Sequence, residues 1–348
     1  MSIPKLLSPI RSLEGAKKVI PAGADEVYCA VKIPGIRNLM LNRPPACAIS
    51  TYDELREIVE YAHGRGADVI VTMELPFMAR VLEKKMEEHL HSLVATGPDA
   101  LIAGDMGIIL MIRELGLDIP LFASIFLGSM NYEAVDLLGR IGVDRVILER
   151  NVLIDEIAEI VQRNRDVGVE VFIHGGGCSN TQANCYFIHE VREDTESIRK
   201  EFRLTVGPPC RNPYEVYEIV GDERRIPDEA QRYMDQMGTS GVPILDAYSF
   251  CSICKLPELI RTGVVGLKIV GRCMSLLYQE KVTRMYRDLL DILAEGRMDS
   301  FWEMVDILKK GVRWESVPGD SVISVRLPCR QRRCYYEPLA HAPYKLPI

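Results

Sequence analysis

Five of the ten cysteines in this 348-residue chain, Cys178, Cys185, Cys210, Cys251 and Cys254, fall within one stretch of under eighty residues. Cys178 and Cys185 stand seven positions apart in VFIHGGGCSNTQANCYFIHE (171–190), directly after an apolar run that ends at His174. Gly175, Gly176 and Gly177 would let the backbone bend sharply there and approach a bulky group. Cys210 lies in GPPCRNPYE, where two prolines stiffen its approach, and Cys251 lies in YSFCSICKLPEL. Four thiolates delivered by rigid turns can hold zinc or an iron–sulfur cluster. Only Cys251 and Cys254 form a CxxC pair, so a two-knuckle zinc ribbon is not favoured. Unrelated buried thiols remain the alternative. His174 could serve as an acid/base or a neighbour of such a group, or it could simply be satisfied by a backbone carbonyl.

What must position these residues is an alternation of short apolar runs and amphipathic helical stretches. The runs are KLLSPI (5–10), EVYCAVK (26–32), ADVIVTME (67–74), DALIAGD (99–105), PLFASIF (120–126), DRVILER (144–150), VEVFIHG (169–175) and VVGLKIVG (264–271). One of the intervening helices opens on Thr51 with Glu54 three residues later, a capping box, and stops at Gly64. Eight strands with single helices between nearly all of them predict an α/β protein of the (β/α)8 TIM-type barrel, with a doubly wound open sheet as the alternative. Residues 1–296 form the expected barrel domain, including a Cys-bearing insertion at 178–255 between strands seven and eight. Residues 297–348 form a helical and irregular C-terminal extension.

Barrel enzymes work at the C-terminal ends of their strands. Those ends carry Ser8, Cys29, Glu74, Asp105, Ser124, Glu149 with Arg150, His174, and Lys268 with Arg272. Strand ends are often polar merely because they lie near solvent, but a ring drawn from eight segments is better explained by a lined pocket. Asp105, Glu149, His174, Lys268 and Arg272 are the candidates for substrate binding and proton transfer. Arg150 and Arg272 are suited to gripping a carboxylate bidentately.

The bulk numbers narrow the class. Hydrophobic content of 47% and charged content of 26% are globular values. A formal net charge of −7 argues against a chain-wide nucleic-acid surface. The first twenty residues show no apolar core followed by a small-residue cleavage site, and no apolar run approaches the roughly 18–20 residues of a membrane helix. A cytoplasmic protein without membrane insertion is expected, in which the cysteines do not build a disulfide framework. GxSxG, HExxH, GxxxxGK[ST] and a helix-opening GxGxxG are all missing from the sequence.

Several segments together resemble the collagenase-like peptidase family U-32. They are KLLSPIRSLEGAKKVIPAGADEVYCA, YDELREIVEYAHGRGADVIVTME, DALIAGDMGIILMIRELGLDIPLFAS, VEVFIHGGGC and LPELIRTGVVGLKIVGR, spanning nearly all of residues 4–290. The resemblance implies a barrel carrying a 4Fe-4S cluster on Cys178, Cys185, Cys210 and Cys251, with Cys254 as a reserve ligand. Members of that family include proteins of oxygen-independent hydroxylation, some acting on ubiquinone precursors as a pair of short chains and others on bases of transfer or ribosomal RNA. Three departures stand out. Val270 replaces the usual glutamate of Lys-Ile-Glu-Gly-Arg, Gln182-Ala183-Asn184 replaces Ser-Gly-Arg before the second cysteine, and VGPPCR keeps one cysteine where two are common.

The expectation that follows is an iron–sulfur protein catalysing or assisting oxygen-independent hydroxylation of a small organic or aromatic substrate. A hetero-oligomeric partner of the same family is the expected companion, and nucleic acid is not an expected ligand. A collagenase-like peptidase and a non-catalytic iron–sulfur subunit are the alternatives.

Overall fold

The structure is a computed structural model that describes residues 2–33, 47–74, 80–178, 181–184, 214–237, 240–242, 247–310, 312–314, 323–325 and 335–336. Eight parallel strands follow the expected order: β1 (Lys5–Pro9), β2 (Glu26–Cys29), β3 (Asp68–Met73), β4 (Ala100–Ala103), β5 (Leu121–Ala123), β6 (Arg145–Ile147), β7 (Gly168–Cys178) and, after the insertion, β11 (Gly266–Ile269). The helices between them are α1 (Leu13–Val19), α2 (Tyr52–His63), α3 (Glu83–Val94), α4 (Met106–Glu114), α5 (Tyr132–Arg140) and α6 (Ile154–Arg163). Pairing runs β11-β1-β2-β3-β4-β5-β6, and β7 pairs with both β6 and β11. The sheet therefore closes on itself, and the open-sheet alternative is excluded.

Local signals in the sequence account for the helix starts. Thr51 accepts a hydrogen bond from the Glu54 N–H at 3.1 Å, while Glu54 reaches back to the Ser50 N–H at 3.2 Å. Ser12, Asn131 and Ser275 cap other helices through their side-chain oxygens. The helix Leu276–Ala294, which follows β11, buries Val282, Tyr286, Leu289 and Leu290. It is tied to β1 by the Ser8–Thr283 hydroxyl pair at 2.9 Å.

The insertion carries a two-stranded hairpin, β8 (Glu218–Val220) and β9 (Glu223–Arg225), and the helix Asp228–Met237. It returns as β10 (Ala247–Cys251), which runs antiparallel to the far end of β7. Beyond the barrel lie the helix Met298–Lys310 and the strands β12 (Val312–Trp314) and β13 (Ile323–Val325).

The barrel interior is charged near the N-terminal ends of its strands. Arg145 on β6 forks onto Glu26 of β2 at 2.6 and 2.9 Å and reaches Glu170 of β7 at 3.1 Å. Glu170, 0% exposed, also receives Lys268 of β11 at 3.1 Å. Burial pushes the Glu170 carboxyl up, but Lys268 and Arg145 outweigh it and hold the group below the usual carboxylate range. Removing Arg145 would leave two enclosed carboxylates short of their counter-charge. Arg145→Ala is therefore expected to lower unfolding free energy by about 3–5 kcal/mol, read from the denaturant midpoint. Because the folded Glu170 pKa is depressed, its contribution is complete above the ordinary carboxylate range. It is lost as pH falls through the lower folded value, so wild type should show an acid-side loss that Glu170→Gln reduces.

Candidate functional site

At the C-terminal mouth of the barrel, Tyr28, Glu74, Ser124, Phe126, Arg150, Phe172, Gln182, Lys268, Val270 and Arg272 line an open cleft. Two of the expected site residues, Lys268 and Arg272, stand in this lining. Alternation along β11 and its extension points Lys268, Val270 and Arg272 the same way. Lys268 keeps its salt bridge to Glu170 and lies 4.1 Å from the centre of the Tyr28 ring. Burial pulls the Lys268 ammonium below the usual lysine range, against the pull of Glu170 and Glu74. A lysine so placed gives up and regains a proton more readily than a surface lysine. Arg272 is committed to Thr72 at 2.6 Å and to Glu74, so the carboxylate grip expected of it is already filled from within the chain.

Arg150 is different. Only 9% of it is exposed, and its guanidinium lies 4.6 Å from the centre of the Phe172 ring. Like Arg272, it leaves its Nε without a hydrogen-bond partner among the described residues, but unlike Arg272 it has no carboxylate salt bridge there. Glu149, the neighbouring expected residue, does not line the cleft. Its carboxylate accepts the Gln182 and Ala183 N–H groups and the Arg150 N–H, pinning residues 182–184 over the end of β6. Burial pushes this carboxyl up, against Arg150 and those three backbone donors.

Asp105 is the N-cap of α4, accepting the Ile108 N–H at 3.2 Å, and is not part of the cleft lining. His174 also leaves the lumen. The β7–β11 register slips between Lys268↔Phe172 and Ile269↔His174, a bulge that turns the side chain outward. There it meets the Tyr286 hydroxyl at 3.2 Å. Tyr286 donates its proton to the Ile173 carbonyl at 2.7 Å, so Nδ1 of His174 is the donor in their pair. Enclosure among Tyr278 and Tyr286 lowers the imidazole pKa to about 4. The role this surrounding supports is that of a neutral, satisfied core histidine.

The cysteines give two corrections. The bend expected at Gly175–Gly177 is confined to Gly175, whose φ of +107° admits no side chain because a Cβ would meet the Val270 carbonyl at 2.4 Å. Gly176, Gly177 and Cys178 continue β7 in register with β10, so Cys178 ends a strand rather than starting a loop. Although no disulfide framework was expected, Cys47 and Cys273 form one disulfide across the mouth rim, Cα–Cα 5.2 Å, joining the segment after β2 to the residue after Arg272. Nothing in their local sequence marks them as a pair 226 positions apart.

Cys251 is buried on β10, whereas Cys185 and Cys210 lie outside the described residues. Among the described residues no three His, Cys, Asp or Glu side chains converge as a metal site. Along the ladder Cys251 faces His174 and Cys178 faces Ala247, four rungs away, or about 13 Å at ~3.3 Å per residue. Thiolates suit an iron–sulfur cluster chemically, but the glycine-rich end of β7 would have to peel from β10 for both to serve one. Sequence reasoning missed Tyr28, Phe172 and Gln182. Tyr28 and Phe172 could have been found from strand alternation, because each sits two residues from a lumen-facing glutamate, Glu26 and Glu170.

A model of peptidase family U32 matches residues 11–313. The chain belongs to peptidase family U32. Within it, this U32 chain is 27% identical to tRNA hydroxylation protein P of Escherichia coli over 324 residues, covering 84% of this chain and 69% of that protein. It is 30% identical to the 23S rRNA 5-hydroxycytidine C2501 synthase of Escherichia coli, covering 85% of this chain and 40% of that protein. It is also 28% identical to tRNA hydroxylation protein P2 of Bacillus subtilis, covering 85% and 89%. Among the described residues of the U32 chain no helix is long and apolar enough to cross a membrane.

The buried imidazole has a measurable consequence. The unfolded chain protonates His174 near pH 6.5 and the folded chain only near 4, so stability is full above 6.5 and falls as pH drops toward 4. Denaturant unfolding at pH 7, 5 and 4 should show this loss, up to about 3 kcal/mol for one such histidine. His174→Asn, which keeps a donor toward Tyr286, should flatten the slope.

Proposed function

We propose that this U32 chain takes part in oxygen-independent hydroxylation of a base in RNA, with the cleft at the barrel mouth as the place where the base is held. The observation that carries the reading is the lining of that cleft. Aromatic side chains, Tyr28, Phe126 and Phe172, stand with the cations Arg150 and Lys268 in one concave site. A flat, hydrogen-bonding heterocycle turned out of its stack is the ligand such a lining suits. The relatives named for tRNA and rRNA hydroxylation support the same reading. It replaces the small aromatic substrate expected from the acidic charge balance. Net charge describes the whole surface, whereas the cleft lining sets Arg150, Lys268 and Arg272 against one carboxylate, Glu74.

In this reading Lys268, with its lowered pKa, moves a proton at the substrate, and Arg272 with Glu74 fixes the rim. Glu149 holds the backbone of residues 182–184 across the opening. The proposed resident group is a 4Fe-4S cluster on Cys178, Cys185, Cys210 and Cys251, with Cys254 as the substitute. When bound it would supply electron-transfer or Lewis-acid chemistry. The peptidase alternative has little to rest on. Among the described residues, Ser124 caps its own turn and His174 faces Tyr286, so these two do not form a nucleophile–base pair.

Nucleosides from RNA of cells with and without the chain, compared by mass spectrometry, test the substrate reading. The expected result is a base gaining one oxygen only when the chain is present, and identical profiles would overturn it. Protein purified anaerobically should contain about four iron and four acid-labile sulfide per chain. Both should be lost in Cys178→Ala, Cys210→Ala and Cys251→Ala and kept in Cys254→Ala. Zinc or no metal in wild type would sink the cluster assignment.

A further inference from the structure

Two side chains beyond the region that matches the family, Tyr335 and Tyr336, pack behind the cleft-lining residue Phe172. On one side of β7, β6 pairs through Glu170 and β10 takes over from His174. Phe172 falls between these two neighbours. Its carbonyl accepts the Tyr336 hydroxyl at 2.6 Å. Further along, the Gly175 carbonyl accepts the Tyr335 hydroxyl at 3.1 Å, and the Tyr335 N–H points to the Cys251 carbonyl at 3.4 Å. The Tyr335 ring packs against Phe250, centroids 5.1 Å apart, and more loosely against Phe172 at 6.5 Å. Both tyrosines are as buried as the barrel core, 1% and 6% exposed.

These contacts lead to the cleft through one ring. Phe172 lines the cleft and carries the Arg150 guanidinium over its face. Arg150 is nine-tenths buried, with its Nε unpartnered among the described residues, so ring stacking and nearby charge are what hold it. A shift of Phe172 along or across β7 would therefore move Arg150.

We propose that Tyr335 and Tyr336 are positioning residues of the cleft: they bridge the gap between β6 and β10 on β7 and thereby hold Phe172, and with it Arg150, in place over the substrate position. This role rests on the cleft being the working site, as proposed above. Phenylalanine could fill the same space. The hydroxyls are needed because each donates to a buried main-chain carbonyl of β7, and an unmet acceptor there is costly.

Tyr335→Phe, Tyr336→Phe and the double variant remove the hydroxyls and keep the rings. Arginine modification by phenylglyoxal, located by peptide mass mapping, reads the position of Arg150, with Arg272 as the internal reference because Thr72 and Glu74 hold it. The expected result is Arg150 reacting about tenfold faster in the double variant, with Arg272 little changed and the midpoint of thermal unfolding lowered by a few degrees for the two unmet carbonyls. Purified tRNA from cells lacking the chain then serves as substrate, and KM should rise more than kcat falls. Arg150 as protected as in wild type, in a folded double variant, would overturn the proposal. So would equal acceleration at Arg150 and Arg272, which marks general loosening. If the double variant does not fold, Tyr336→Phe alone decides by the same criterion. Tyrosine-dependent protection of Arg150 in a protein that leaves both tRNA and rRNA unmodified would refute the substrate reading and leave this one standing.

Discussion

The fork from Arg145 to Glu26, shared with Glu170 and through it with Lys268, is the interaction on which the barrel's interior arrangement depends. It joins β2, β6, β7 and β11 through charges enclosed within the barrel. Such a network adds little net stability over an apolar core, but it tolerates few alternative arrangements, because each enclosed charge needs its partner in place. It also fixes the height of Lys268. That side chain is anchored below by Glu170 and passes the Tyr28 ring to stand in the cleft lining. The ion network and the candidate site are thus continuous, and the perturbed ionisation of Lys268 follows from its enclosure there.

β7 is where the regular barrel gives way to the parts peculiar to this chain. It carries Glu170 into the ion network and Phe172 into the cleft wall. The bulge at Ile173–His174 then reverses its alternation, and from His174 onward it pairs with β10 of the insertion. The bulge explains why a histidine at a strand end is not a cleft residue. The same strand ends in three glycines and Cys178 paired with β10, and Gly175 is required because its positive φ and the Val270 carbonyl leave no room for a Cβ.

Cations at the mouth are not equivalent, and pairing separates them. Arg272 is held by Thr72 and Glu74, Lys268 by Glu170, whereas Arg150 relies on the Phe172 ring. The disulfide between Cys47 and Cys273 ties the rim beside Arg272 to the segment after β2. Rim and wall are therefore held by different means, the first by a covalent link and ion pairs, the second by hydrogen bonds to main-chain carbonyls.

The sequence by itself determined the elements: eight apolar runs with helices between them, the Thr51 cap, and the polar strand ends that include Lys268 and Arg272. These are local properties, written in periodicity and in neighbours three or four residues apart. Only the tertiary structure decided which polar strand ends face the lumen. Asp105 became a helix cap, His174 was turned away by a one-residue register slip, and Glu149 was spent on backbone N–H groups. Pairings between distant segments, Arg145 with Glu26, Cys47 with Cys273, and Tyr336 with the Phe172 carbonyl, leave no local trace either. Each depends on barrel closure bringing together residues far apart in the chain, and a single sequence carries no record of that distance.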